Sequence, residues 1–248
     1  MTKIISTNSE RPPRYPALDA LRGAAIVGVV LFHLVWDLTF LGFISPEWAA
    51  HPAWIAFGRL LAATFMTLVG VSLALATRHG VRVPAVLRRL AILAAAAAAI
   101  TAATRLTFPE AYVYFGILHS IVVATVVGLA LIRAPLPAVV AVGLALIVAG
   151  LLWTHPAFDP RALAWIGFSE TPAPSNDHAP VFPWAGFTLL GLAAARAGST
   201  RGWFARSPVL RTPTGRLLAV AGRRSLVIYL IHQPVLLAIL VPAAMILR

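Results

Sequence analysis

Residues 18–38, LDALRGAAIVGVVLFHLVWDL, place four ionisable side chains, Asp19, Arg22, His33 and Asp37, in an otherwise apolar run. If Arg22 marks a membrane boundary, the helical rise of 1.5 Å per residue puts His33 about 16 Å deeper, near mid-bilayer, with Asp37 one turn further on. An ionisable group at that depth costs about 2.5–3.5 kcal/mol on insertion scales and normally faces a cavity or a partner. A carboxylate one turn from an imidazole can orient the ring and stabilise its protonated form, which makes His33 a candidate general base and Asp37 its partner. The same pair would also serve as a structural bridge between helices. Asp19 and Arg22 stand three residues apart at the helix end, where they can pair with each other without any catalytic role.

Further polar residues recur at related depths. His119 in YFGILHS and His232 in SLVIYLIHQP each fall about two turns inside an apolar run, and Tyr229 and Gln233 flank His232, so a polar seam through the interior is expected. Taken singly, each histidine is also explained by a hydrogen bond to a neighbouring helix. At the opposite end His51, Arg59, Arg105, Asp177 and His178 can form a polar mouth, or simply charged, solvated loops. No HExxH or comparable spacing is present, so the scattered histidines do not argue for a metal.

These residues must be held by helices. Of 248 residues, 60% are hydrophobic and 11% charged, and the mean hydropathy is +0.86, far from the balance of a water-soluble domain. The expected fold class is all-α: a polytopic membrane helix bundle with seven spans near 17–41, 54–77, 86–104, 111–132, 136–154, 181–197 and 222–247. Residues 1–16 read as an N-terminal tail and 17–248 as one domain. The first span is too long for a signal-peptide core and no small-residue cleavage site follows it, so it is expected to remain in the mature chain. There are no cysteines, which excludes disulfides and thiolate chemistry.

The net charge of +12 is distributed unevenly. Most arginines, including Arg22, Arg88, Arg89, Arg223 and Arg224, fall on one side of the seven-span scheme, while Arg59, Arg105, Arg161 and Arg248 fall on the other with most of the carboxylates. The positive-inside rule then places the N-terminus in the cytoplasm and the C-terminus outside. Topology explains the basic excess, and nucleic acid is not an expected partner. A ring of arginines at one end also suits an anionic cofactor.

Four segments carry a family resemblance: the opening stretch, FMTLVGVSLALATRHG, YVYFGILHSIVVA together with GRRSLVIYLIHQPVL, and DHAPVFPWAGFTLLGLAAAR. They look like the bacterial relatives of the heparan-alpha-glucosaminide N-acetyltransferase catalytic domain, from about Ala17 to Leu237. The resemblance implies a multi-pass acyltransferase of the bacterial inner membrane. It would take acetyl-CoA from the cytoplasmic side, with Arg22, Arg88, Arg89, Arg223 and Arg224 on the CoA phosphates. The acyl group would pass to an amine or hydroxyl, typically of a sugar or glycoconjugate, on the far side. Membrane lipid is the expected surrounding, and a homodimer is compatible with it. The spacing from LRG to His33 is also similar to the integral O-acyltransferases of cell-surface polysaccharides, whose intramembrane histidine is the base. In the animal members of the first family the His33 position carries Asn and the key histidine lies in the first outer loop, the place of His51 here. His33 and His51 therefore compete for one role, and Arg59 or Arg105 is the candidate donor to the developing oxyanion. The alternative class is a proton-coupled transporter using His33 and Asp37 as a relay, which would predict inverted repeats; no clear repeat is visible.

Overall fold

A computed structural model describes residues 15–200 and 208–247. Among them there is no β-strand, only an isolated bridge between Phe115 and His178. The long helices are α1 (Pro16–Phe40), α3 (Pro52–Thr77), α4 (Val83–Thr107), α5 (Ile117–Ala130), α6 (Leu136–Leu152), α8 (Val181–Thr200) and α10 (Ser225–Leu247). Short α2 (Glu47–Ala50) and α7 (Arg161–Ala164) lie in loops, and α9 (Pro213–Arg223) precedes α10. Four of these, α1, α3, α4 and α10, are long and apolar enough to cross a membrane.

Local sequence explains the boundaries. Proline occupies the first or second position of α1, α3, α4, α6 and α9, where its missing N–H is one the helix would leave unpaired anyway. The Thr212 hydroxyl accepts from Gly215 N at 3.0 Å and caps α9.

Two expectations about the spans are corrected. The run 111–132 does not form one helix: Gly116 is extended and α5 starts only at Ile117, leaving 14 residues, about 21 Å of helix. The run 222–247 belongs to two helices, because Arg223 ends α9 and Arg224 leaves helical geometry before α10 begins. Helix α9 was not expected at all. Its arginines keep its mean hydropathy low, yet its small face, Gly215, Ala219 and Gly222, is buried.

Packing rests on small residues. A methyl group on Gly222 would strike the carbonyl oxygen of Asp19, and one on Gly23 that of Leu218, so α9 lies backbone to backbone against the start of α1. Gly70 and Gly191 do the same for α3 and α8, opposite the carbonyls of Thr188 and Thr67. Helix α8 is the centre of the bundle, packed on α3, α5 and α6, with Leu189 and Leu192 fully buried. Met66, Leu93, Leu118 and Ile121 join α3, α4 and α5 into a second apolar cluster. The edge of that cluster leaves room for a cavity.

Candidate active site

The cavity encloses about 1160 Å³ between α1, α3, α4, α5, the loop before α8, and α9–α10. At one end stand Arg22, Arg88, Arg89 and Arg223; at the other Arg59, Asn176, Asp177 and His178; His33, Phe32 and Tyr229 lie between them. Leu18, Arg22, Val29 and His33 recur at spacings of four, seven and four along α1, which is one helical face, and that face is a wall of the cavity. Val29, Leu61, Phe65, Leu68 and Ile121 make the middle apolar.

Asp37 is fully buried but does not serve His33. Its Oδ1 accepts from Gln233 Nε2 at 2.6 Å, and among the described residues no hydrogen bond joins it to His33. The expected His33–Asp37 pair is therefore replaced by two cross-helix contacts. Four residues of helix advance 400°, so Asp37 is turned roughly 40° from the His33 face, toward α10. His33 instead meets His232, ring centroids 4.8 Å apart and planes at 64°.

His232 is buried, and its Nδ1 lies 2.7 Å from the carbonyl oxygen of Tyr229. A carbonyl only accepts, so Nδ1 carries the proton and the neutral ring keeps its lone pair on Nε2. That Nε2 is buried with no partner among the described residues. The Tyr229 hydroxyl donates to Asp177 Oδ2 at 2.8 Å, and the same oxygen accepts from Ile117 N at 2.9 Å, at the electropositive start of α5. Burial pushes the His178 imidazole below its ordinary range, against the opposing pull of Asp177.

The remaining expected residues separate clearly. His119 is a structural histidine: its Nδ1 accepts from Gly116 N at 3.2 Å and its Nε2 sits 3.4 Å from Thr101 Oγ1, tying the start of α5 to α4. His51 is exposed, accepts from Ala53 N at 3.2 Å as the N-cap of α3, and lines a separate hollow with Glu47, Trp48, Trp54 and Phe57. Arg59 reaches the main cavity. Arg105 does not; it packs on the Tyr112 ring at 5.1 Å, where Arg161 also stacks at 4.8 Å. Arg223 lines the cavity while its neighbour Arg224 lies outside the lining. Arg22 is held by Asp19 at 3.2 Å and by Ser72 Oγ at 2.8 Å. Sequence reasoning missed Ser72, Asn176 and Phe32. The last is the only one with a visible signal, an aromatic beside His33, and it stacks on Trp54 at 5.7 Å.

A helical membrane bundle whose cavity links a cluster of arginines, an imidazole backed by a second, buried one, and a mixed polar end of Arg59, Asn176, Asp177 and His178 has the parts of a membrane-embedded group-transfer enzyme. The comparison with known families is specific. The family model for the heparan-alpha-glucosaminide N-acetyltransferase catalytic domain matches residues 14–234, and the chain belongs to that family. No curated protein and no solved structure matches it.

Proposed function

We propose that the protein is an acyl-CoA-dependent acetyltransferase of the bacterial inner membrane, crossing it seven times with the N-terminus in the cytoplasm. The carrying observation is the single cavity that joins Arg22, Arg88, Arg89 and Arg223 to His33 and then to Arg59, Asp177 and His178. Its volume exceeds the usual range for one small ligand, about 300–1,000 Å³, which suits two substrates meeting inside. The four arginines suit the pyrophosphate and 3′-phosphate of CoA, since guanidinium groups bind phosphates through paired N–H donors. The pantetheine arm runs along the apolar middle, where water is excluded and the thioester is protected from hydrolysis.

The acceptor, an amine or hydroxyl of a sugar or glycoconjugate, enters from the Asp177 end. His33 is the base. It takes the acceptor proton as the new bond to the acetyl carbon forms, and returns it to the CoA thiolate as the carbon–sulfur bond breaks. Arg105 is too committed to Tyr112 to reach the reacting carbonyl, so Arg59 remains the cation able to steady the oxyanion.

The deciding experiment uses protein reconstituted in lipid nanodiscs. Acetyl-CoA titrated calorimetrically should bind at one site per chain, and a panel of amino sugars and sugar alcohols should stimulate release of free CoA thiol. Neither binding nor stimulated release would overturn the reading.

A further inference from the structure

His232 does not line the cavity, yet it is the side chain packed against His33, which does. Three observations define its condition. It is 8% exposed; its Nδ1 is engaged by the Tyr229 carbonyl at 2.7 Å; and its Nε2 is buried without a partner. Leaving a buried acceptor unpaired is costly, so an arrangement that retains one calls for a donor that closes on it at some stage of function. The ring facing it is His33: for one of its nitrogens to act as base the other must already carry an N–H, and that N–H becomes a stronger, charge-assisted donor when the first takes up a proton.

We propose that His232 is the positioning residue of the acetyl transfer: its Nε2 lone pair receives the N–H of His33 as His33 accepts the proton of the acceptor. This rests on His33 being the base. The net step is unchanged: the acceptor proton goes to His33, the carbon–sulfur bond breaks, and the proton leaves with the CoA thiol. His232 gains a hydrogen bond and loses nothing. Hydrogen bonds to the charged form of a base favour that form, so the contact strengthens as the reaction proceeds. Catalytic contacts of this kind are commonly long in the unliganded state and tighten when substrates bind.

The hydrogen-bond chain shows where the orientation comes from. Tyr229 spends its carbonyl on His232 and its hydroxyl on Asp177, and Asp177 is anchored by Ile117 N. One residue past His232, Gln233 locks onto Asp37 of α1. Pro234 follows and withholds the N–H that the Leu230 carbonyl would otherwise receive. A single turn of α10 is thus fixed at both ends, with the imidazole held between them. Asp177, Tyr229 and His232 thus form one chain of contacts that ends on the His33 ring, where a simpler site would put one aspartate.

Asparagine and glutamine separate this role from a structural one. The Asn side chain can imitate Nδ1 and keep the bond to the Tyr229 carbonyl but offers nothing at the Nε2 position; Gln reaches the Nε2 position and can present an acceptor there. His232→Asn should keep acetyl-CoA affinity and lower kcat about ten- to a hundredfold, the range over which partners that orient a histidine act, with KM for the acceptor nearly unchanged. His232→Gln should recover a substantial part of that loss. If Asn turns over like the natural residue, or if Gln is no better than Asn, the role is structural and the proposal fails. Wild-type protein that binds no acetyl-CoA and releases no thiol would instead overturn the enzyme assignment itself. One measurement needs no variant: nitrogen-15 solid-state NMR of the protein in bilayers should show neutral His232 protonated on Nδ1. A ring protonated on Nε2 would overturn the proposal.

Discussion

His33 and His51 carry the same functional group, but their surroundings differ in every respect that matters to a base. His33 stands on the cavity face of a long helix, against a second imidazole and between an arginine cluster and a polar end that holds Asp177 and Arg59. His51 is exposed at a helix start, and its Nδ1 already accepts a backbone N–H. A capping nitrogen has spent the lone pair that catalysis would need, and a solvated ring offers no protection to a thioester. Depth and hydrogen bonding, rather than residue type, separate the two.

The strongest way to break that contrast is removal of His33. His33→Ala should fold, bind acetyl-CoA and lose about 10²–10⁴-fold in kcat, the contribution expected of a positioned base. Residual turnover near that of the natural protein, measured by thiol release, would return the role to the outer loop.

The cavity position of His33 was legible because an imidazole in the middle of an apolar run is expected to face a cavity or a partner, and hydropathy located every long helix. The rest was hidden for identifiable reasons. The partner of Asp37 lies 196 positions away on α10. Asp177 is readable as part of a polar mouth or of a solvated loop, but its partners Ile117 and Tyr229 lie 60 and 52 positions away. Helix α9 escapes a hydropathy window because its arginines offset its leucines and valine. Arg105 looks like a free cation until the Tyr112 ring is placed beneath it.

The basic end gives the second test. Replacing Arg88 and Arg223 together by Gln removes two of the four cavity guanidinium groups proposed to hold the CoA phosphates, and charge-assisted bonds contribute about 1.5–3 kcal/mol each. Acetyl-CoA affinity should fall at least about tenfold by calorimetry. Arg224→Gln, one residue away and outside the lining, should leave it unchanged. Equal effects at both positions would mean that the arginines set topology and not the donor site.

Asp37 tests the contrast from inside the membrane. Asn at that position still offers a carbonyl to Gln233 Nε2, so the α1–α10 clasp survives and only the negative charge is lost. Since among the described residues Asp37 makes no hydrogen bond to His33, Asp37→Asn should lower kcat less than tenfold, roughly the lower edge of what a general-base partner contributes. A loss as large as that of His33→Ala would restore the carboxylate to the reaction in place of the chain from Asp177 through Tyr229 to His232.

The smallest effect is expected at His51. Its side chain satisfies one N–H at the start of α3, so His51→Ala should cost about 0.5–1 kcal/mol of stability, in the lower part of the range for lost N-caps. His51→Asn, which restores a capping acceptor, should recover it. Both variants should turn over at the natural rate, because the hollow that His51 shares with Trp48, Trp54 and Phe57 is separate from the cavity. An aromatic link between the two places is the Trp54 ring stacked on Phe32, which touches His33 edge-on at 5.7 Å. Loss of the imidazole leaves that stack intact, whereas Trp54→Ala removes it and lets Phe32 shift toward the cavity. Thiol release should therefore fall in Trp54→Ala and not in His51→Ala. The reverse order would show that the outer hollow, and not the cavity, is where the acyl group changes hands.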